Sequence, residues 1–312
     1  MKILLFGKYG QLGWELHRSL QGLGQVLAYD YPEIDFAAPS SLRRFVEDLR
    51  PQIVINAAAY TDVDKAESET ERAKLINAKA PGILAEISRG LNAAFIHYST
   101  DYVFDGKKGT PYTEADAPRP LNVYGQTKLE GERAVLQLDG NNLIFRTAWV
   151  YSMRRDSFVS KVLSWAHSQH EMRIVEDQVS NPTWARALAE ITAQILAKAG
   201  PDPLRWLAER RGLYHLAGWG FTSRLEWAKA ILRNNPNQAH QVVQTVLPAR
   251  SAEFPTSAAR PLFSALDCGK FERTFALSLP DWEVALPLAM AGKSSVIKDW
   301  PGPNIAERPE SI

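Results

Sequence analysis

The run Tyr124-Gly125-Gln126-Thr127-Lys128 sets a phenol and an ammonium four residues apart. On a helix that spacing puts both side chains on one face, about 6 Å apart along the axis. A phenol beside a fixed positive charge is a proton donor whose pKa is drawn down toward neutrality. An unperturbed Tyr is ~99.9% protonated at pH 7, and a shift of about three units takes about 4 kcal/mol of preferential phenolate stabilisation. Lys128 and the positive ring of an oxidised nicotinamide are the candidate sources of it. Upstream, Ser99-Thr100-Asp101 closes the apolar run Phe95-Ile96-His97-Tyr98 and so offers hydroxyls at a strand's carboxyl end. Ligands of open α/β sheets bind at that rim, and strand alternation lets only one of the two hydroxyls face a given side. The residues leave open which one does.

A third element sits at the N-terminus, where Gly7, Gly10 and Gly13 spell GxxGxxG after the short apolar run Ile3 to Phe6. Such glycines turn the chain tightly and let a pyrophosphate approach the N–H groups at a helix N-terminus. Asp30 lies twenty positions past Gly10 and is placed to hydrogen-bond an adenosine ribose, which favours NAD. Lys8, inside the loop, could instead neutralise a 2′-phosphate, so the choice between NADH and NADPH stays open. A phosphate-cradling loop, a strand-end hydroxyl and a Tyr/Lys pair together are the equipment of carbonyl reduction by a nicotinamide cofactor.

These residues need a sheet to position them. Ile3 to Phe6, Val26 to Tyr29, Ile53 to Ile55, Phe95 to Tyr98 and Leu143 to Thr147 read as short buried strands. Helical patterns alternate with them: Leu12, Leu16 and Leu20 at every fourth position, Ser40 to Leu49, a long stretch from Glu69 to Arg89, and Tyr124 to Leu138. Strand–helix alternation predicts an α/β fold, a Rossmann-like doubly wound parallel sheet with a smaller C-terminal substrate-binding domain. The expected division is 1–150 for the dinucleotide-binding domain, with parts of 184–217 packing on it, and 151–290 for the smaller domain. Residues 291–312, with Pro301, Pro303 and Pro309 and no apolar periodicity, read as a disordered tail.

The 312 residues carry a net charge of +1, which offers no general attraction to nucleic acid or a membrane surface. No window approaches the ~20 apolar residues of a transmembrane helix, and the opening apolar run is too short for a signal peptide. One cysteine, Cys268, excludes an internal disulfide and fits a reducing, cytoplasmic setting, with the thiol an inert small hydrophobe. His97, inside an apolar strand, reads as a packed core histidine, and His167 and His170 lack partners at metal-ligand spacing. Trp149, just past the Arg146-Thr147 strand end, is the tryptophan placed to stack on a ligand.

GKYGQLGWEL, NAAAYTDVDKAE, STDYVFDG, PLNVYGQTKLEGE, FRTAWVY, DQVSNPT and the late ARP segment, in this order from Met1 to about Trp282, resemble the dTDP-4-dehydrorhamnose reductases of the extended short-chain dehydrogenase/reductase family. The resemblance implies reduction of the C4 ketone of dTDP-4-dehydro-L-rhamnose to dTDP-L-rhamnose with NADPH or NADH. It puts the carbonyl-binding hydroxyl on Thr100, the proton donor on Tyr124 and its electrostatic and ribose-binding partner on Lys128. Gly7, Gly10, Gln11, Leu12 and Gly13 fall in the cofactor loop, Asp30, Asp35 and Phe36 near the adenosine, and Ala58, Ala59, Tyr60 and Thr61 along the cofactor channel. Asp101 and Trp149 fall against the deoxysugar. Members of the family can bind Mg2+ through glutamates at a homodimer contact. Glu15 and Glu190 match two such positions and the C-terminal one has no match, so both read more simply as solvated helix glutamates. The same residues admit two rivals: a 4-ketosugar reductase giving another epimer, such as 6-deoxytalose, and a non-catalytic dinucleotide-binding regulatory subunit.

Overall fold

The computed structural model describes residues 1–291; the expected tail lies beyond them, apart from Ala291 itself. Six strands form one parallel sheet: β1 (Lys2–Phe6), β2 (Gln25–Tyr29), β3 (Ile53–Asn56), β4 (Ala94–Thr100), β5 (Asn141–Thr147) and β6 (Gly212–His215), in the order β6-β5-β4-β3-β1-β2. Parallel strands joined by helical crossovers are covered on both faces, so their sequences read as continuous apolar runs. The alternation shows it. Ile3, Leu5, Ile53, Ile55, Ile96 and Tyr98 pack into one core layer, while Leu4, Phe6, Val54 and Phe95 pack into the opposite one. Each such large side chain taken fully from water contributes roughly 1.5–3 kcal/mol.

The first layer is closed by α1 (Gln11–Ser19) and the later helix Ala185–Lys198, which pack on each other through Leu12 and Leu16 and through Leu188, Ile191 and Ile195. The second is closed by α2 (Ser40–Leu49), by Ala80–Gly90 and by Val123–Leu136. The single helix expected from Glu69 to Arg89 is broken in its middle. Thr70–Lys74 passes through a π-turn at Leu75–Lys79 before Ala80–Gly90 resumes. The π-turn aims the Asn77 amide at the loop after β3, where it accepts from Tyr60 N at 2.9 Å and donates to Tyr60 O at 3.1 Å. Apolar periodicity does not register one extra residue in a turn, and π-bulges cluster at functional sites.

A separate core forms beyond β5 from Tyr151, Val159, Val162, Trp227, Ile231, Trp282 and Leu286. Three polar ties join this region to the sheet. Asp64 pairs with Arg260 (2.7 Å), Asn122 Nδ2 donates to Ala259 O (2.7 Å), and Asp101 accepts from Ser180 and Ser264. Asn181 gathers the C-terminal segments, accepting from Leu266 N and donating to Gly220 O. Among the described residues, no helix is long and apolar enough to cross a membrane.

Candidate active site

The chain crosses from β2 over β1 to β3, and at that switch point the strand ends splay apart. A cavity of about 700 Å³ opens there along the carboxyl ends of the strands. At one end it is lined by Gly7, Gly10, Gln11 and Leu12, with Asp30, Asp35 and Phe36; Ala58, Ala59 and Thr61 line its middle. At the other end stand Thr100, Asp101, Tyr124, Lys128 and Trp149. Two of the expected residues lie off the lining. Gly13 serves the packing of α1 on β1, since a Cβ there would stand 1.8 Å from Gly7 O. The Tyr60 phenol turns to Glu69, which together with burial pushes it up to about 12.

The loop end suits a dinucleotide. Gly10 precedes α1 with no side-chain cap, so the first-turn N–H groups of that helix are free to meet an anion. Gln11 Oε1 and Thr147 Oγ1, on two sides of the cavity, are buried with no hydrogen-bond partner. Buried polar atoms normally find a partner, and a polar ligand in the cavity would satisfy these two. Asp30 Oδ2 accepts from Tyr9 N at 2.8 Å and Oδ1 from Tyr31 N at 2.8 Å, which fixes the carboxylate beside the loop. Lys8, the candidate 2′-phosphate partner, is ion-paired with Glu33 at 2.6 Å.

The catalytic end is built on the helix Val123–Leu136. Asn122 caps it by accepting from Gly125 N (2.8 Å), and Glu67 accepts from Val123 N (2.9 Å), so the turn carrying Tyr124 is fixed by two acceptors. Tyr102 packs edge-on against the Tyr124 ring, with centroids 5.9 Å apart. Strand alternation settles the hydroxyls. Ser99 turns toward the helix and donates to Glu132 at 2.5 Å, whereas Thr100 lines the cavity with Tyr124, donates to Asp101 at 3.2 Å and accepts from Tyr102 N at 3.1 Å. Thr100 is therefore the strand-end hydroxyl beside the phenol.

The expectation of an acidified phenol is reversed in the protein alone. Burial pushes Tyr124 above its ordinary value, and the nearby Asp101 and Tyr102 add to the rise. Lys128 does not counter it: its Nζ is buried, donates to Tyr98 O at 2.6 Å and lies 3.4 Å from His97 Nε2. Burial brings Lys128 down to about 8, against the raising influence of Glu132. Spacing gave the correct face; desolvation, which no spacing reveals, set the sign.

Asp101 is fully buried and accepts from Ser264 (2.5 Å), Ser180 (3.1 Å) and Thr100 (3.2 Å). Burial still raises it to about 6. Trp149 takes a left-handed backbone (φ 39) and stacks on Trp227 at 5.4 Å. The Arg224 guanidinium lies over its ring at 3.6 Å. Arg224, absent from the sequence reading, is brought down by burial to about 10. Two of its aromatic partners, Trp149 and Phe158, come from a distant stretch of the chain, while Trp227 lies three residues on in the same helix, so the local sequence shows one of the three.

Glu15 and Glu190 do converge, but the Arg18 guanidinium stands between them, at 3.0 Å from Glu15 and 3.1 Å from Glu190. Arg186 also binds Glu190, at 2.9 Å. The two carboxylates are thus already served by guanidinium groups, an arrangement that does not support Mg2+ at this place. No cluster of three or more metal-ligating side chains occurs among the described residues. Burial pushes the Cys268 thiol up to about 12, which makes it a poor nucleophile.

The model of the RmlD substrate binding domain family matches residues 1–294. The dTDP-4-dehydrorhamnose reductase of Burkholderia thailandensis is 44% identical over 93% of the chain and 98% of its own length. That of Escherichia coli K12 is 42% identical, over 92% and 96%. Among solved structures, a dTDP-4-dehydrorhamnose reductase from Clostridium acetobutylicum superposes with a TM-score of 0.84 at 33% identity, covering 93% of this chain and 99% of that one. The Bacillus anthracis enzyme, solved in complex with NADP, does so at 0.83 and 31%, covering 94% and 100%.

Proposed function

The chain belongs to the RmlD substrate binding domain family, and we propose that it reduces the C4 ketone of dTDP-4-dehydro-L-rhamnose to dTDP-L-rhamnose at the expense of NADPH or NADH. The observation that carries this reading is that Thr100, Tyr124 and Lys128 line one end of a cavity that begins at a glycine loop. When bound, the reduced nicotinamide supplies the hydride. Thr100 and Tyr124 orient the ketone oxygen from one side, and the phenol gives its proton to the oxygen as negative charge develops there. Lys128 holds the nicotinamide ribose and supplies positive charge near the phenol. Gly7, Gly10, Gln11 and Leu12 hold the pyrophosphate, and Asp30, Asp35 and Phe36 the adenosine.

We divide the chain near residue 150 into a dinucleotide-binding part, which includes β6, and a sugar-nucleotide part extending to about 290. Trp149 and Arg224, which meet where the two parts join, would face the substrate, with Asp101 beneath holding the wall in place. The lone free thiol suits a reducing compartment such as the cytoplasm.

The test is a panel of dTDP-, UDP- and GDP-4-ketosugars with either cofactor, followed by dihydronicotinamide absorbance and product NMR. Stoichiometric oxidation with formation of dTDP-L-rhamnose is expected. A 6-deoxytalose product would favour the epimeric reductase, and cofactor binding with no turnover on any sugar would favour the regulatory reading. Tyr124→Phe should cost a factor of about 10²–10⁴ in kcat, the usual worth of a positioned acid.

A further inference from the structure

Behind the catalytic helix, two buried polar groups that the reaction described above does not use, Asn56 and His97, form a line with Lys128. Asn56, at the end of β3, and His97, in the middle of β4, are fully buried, and Lys128 is 2% exposed. Asn56 Oδ1 accepts from the backbone N–H of Ala58 at 3.0 Å. A backbone N–H only donates, so the amide cannot be turned over, and the group facing His97 Nδ1 at 3.2 Å is the Asn56 NH2. Nδ1 must then be an acceptor, and in a neutral imidazole the proton resides on Nε2. That N–H points at Lys128 Nζ, 3.4 Å away.

An ammonium has three donors and no lone pair, so Nε2–H and a charged Lys128 would meet donor to donor. A neutral amine resolves the conflict, because its lone pair accepts from His97 while it still donates to Tyr98 O at 2.6 Å. We propose that Asn56 locks His97 in the Nε2–H tautomer, and that this N–H, donated to Lys128, makes His97 the positioning residue that favours the neutral amine of Lys128 in the ligand-free protein and so lowers the pH at which the lysine gains its charge. The histidine is thus more than core packing: it sets the pH at which the lysine gains its charge.

The surrounding charges agree in direction. From its own helix Lys128 is faced by Glu132, which favours the ammonium, but Arg146 of β5 neutralises that carboxylate in a buried pair. From β4 it meets only His97 and the Tyr98 carbonyl, and Asp101, Tyr124 and Arg72 line the same cavity. Burial lowers both Lys128, to about 8, and His97, well below its ordinary value, which excludes an imidazolium as the way out.

Two measurements on the full chain test this, the first without reference to turnover. In protein labelled with 15N-histidine, long-range correlations report the tautomer of each imidazole. His97 should carry its proton on Nε2, and its shifts should titrate with a midpoint near that of Lys128, a step that Lys128→Met removes. A proton on Nδ1, or shifts that ignore Lys128→Met, would overturn the proposal even if the reductase reading stands. The second rests on that reading: His97→Gln offers Lys128 an amide oxygen in place of a donor. The alkaline limb of kcat/KM should then move up by about one pH unit. A limb that stays put or moves down would overturn the tuning role. Failure to reduce any ketosugar would refute the proposed function, while the tautomer measurement would still decide the state of His97.

Discussion

Glu132 and Arg146 form a bidentate ion pair inside the protein: Nε donates to Oε1 at 2.9 Å and Nη2 to Oε2 at 2.6 Å. Their side chains are 1% and 4% exposed. Ser99 donates to the same carboxylate, and His215 Nε2 lies 3.4 Å from Arg146 Nη1, so the pair bridges β4, β5, β6 and the catalytic helix. Removing one partner strands the other charge away from water, which costs about 3–5 kcal/mol, whereas replacing both by packed apolar groups costs far less. Glu132→Gln should therefore lower the free energy of unfolding in urea by that amount, and Glu132→Leu with Arg146→Met should recover most of it. A Glu132→Gln variant as stable as the parent would show that the pair is not the brace it looks like. Because Glu132 also favours the Lys128 ammonium, the same substitution should move the alkaline limb of kcat/KM down.

Asp101 makes stability depend on pH in an unusual direction. Its carboxyl titrates near 3.8 when unfolded and is raised to about 6 in the fold. The folded state then binds the proton more tightly than the unfolded state, so the contribution is complete below about pH 4 and is lost as pH rises through about 6. The difference is about 3 kcal/mol between the two limits. Urea midpoints measured across pH 4–7 should carry this falling contribution, and Asp101→Asn should remove it. Identical pH profiles for parent and variant would mean that the three hydroxyls fully offset the loss of hydration.

The parts of the site that were legible in the sequence are those whose logic is local. The glycine loop, the hydroxyls after Tyr98 and the Tyr124/Lys128 spacing each lie within a few residues, and strand and helix periods supplied the sheet that brings them together. What stayed hidden depends on partners far along the chain. Arg224 reaches Trp149, Arg260 reaches Asp64, and Ser180 and Ser264 reach Asp101. The same limit hid the burial that raises the Tyr124 phenol in the protein alone, since burial is a property of the whole fold. Asn77 was hidden differently, because a π-turn changes the helical register without changing composition.

One ion pair, Lys8 with Glu33, bears on the proposed cofactor placement. Lys8 Nζ donates to Glu33 Oε1 at 2.7 Å, and Glu33 also accepts from Asp30 N at 3.2 Å. Under the proposed cofactor placement the adenosine ribose lies beside Asp30, and Lys8, tied to the Asp30 backbone through Glu33, is a candidate cation for a 2′-phosphate that is engaged elsewhere. Glu33→Gln releases it. An exposed pair is worth at most about 1 kcal/mol, so the ratio of kcat/KM for NADPH over NADH should rise by roughly three- to fivefold. An unchanged ratio would place the 2′-position out of reach of Lys8.

The residue after the phenol, Gly125, is where the catalytic helix comes closest to the loop after β4. A Cβ built on Gly125 would stand 2.2 Å from the backbone carbonyl of Tyr102 and 3.1 Å from Pro120 Cβ. A carbonyl fixed by its own peptide cannot rotate away, so Gly125→Ala must push the first turn of the helix from the Thr100–Tyr102 segment. That overpacking costs about 1–3 kcal/mol of stability. The larger effect falls on chemistry, because Thr100 and Tyr124 sit on the two sides of the seam, and a displacement near 1 Å can cost about 10²-fold in rate. Gly90→Ala is the control, since a Cβ there meets nothing within 4 Å, and it should stabilise by about 0.5–1 kcal/mol with kcat unchanged. Unfolding curves and steady-state kinetics on both variants separate the cases. If Gly125→Ala lost stability but kept its kcat, the Thr100–Tyr124 spacing would not be what the close approach of helix and loop maintains.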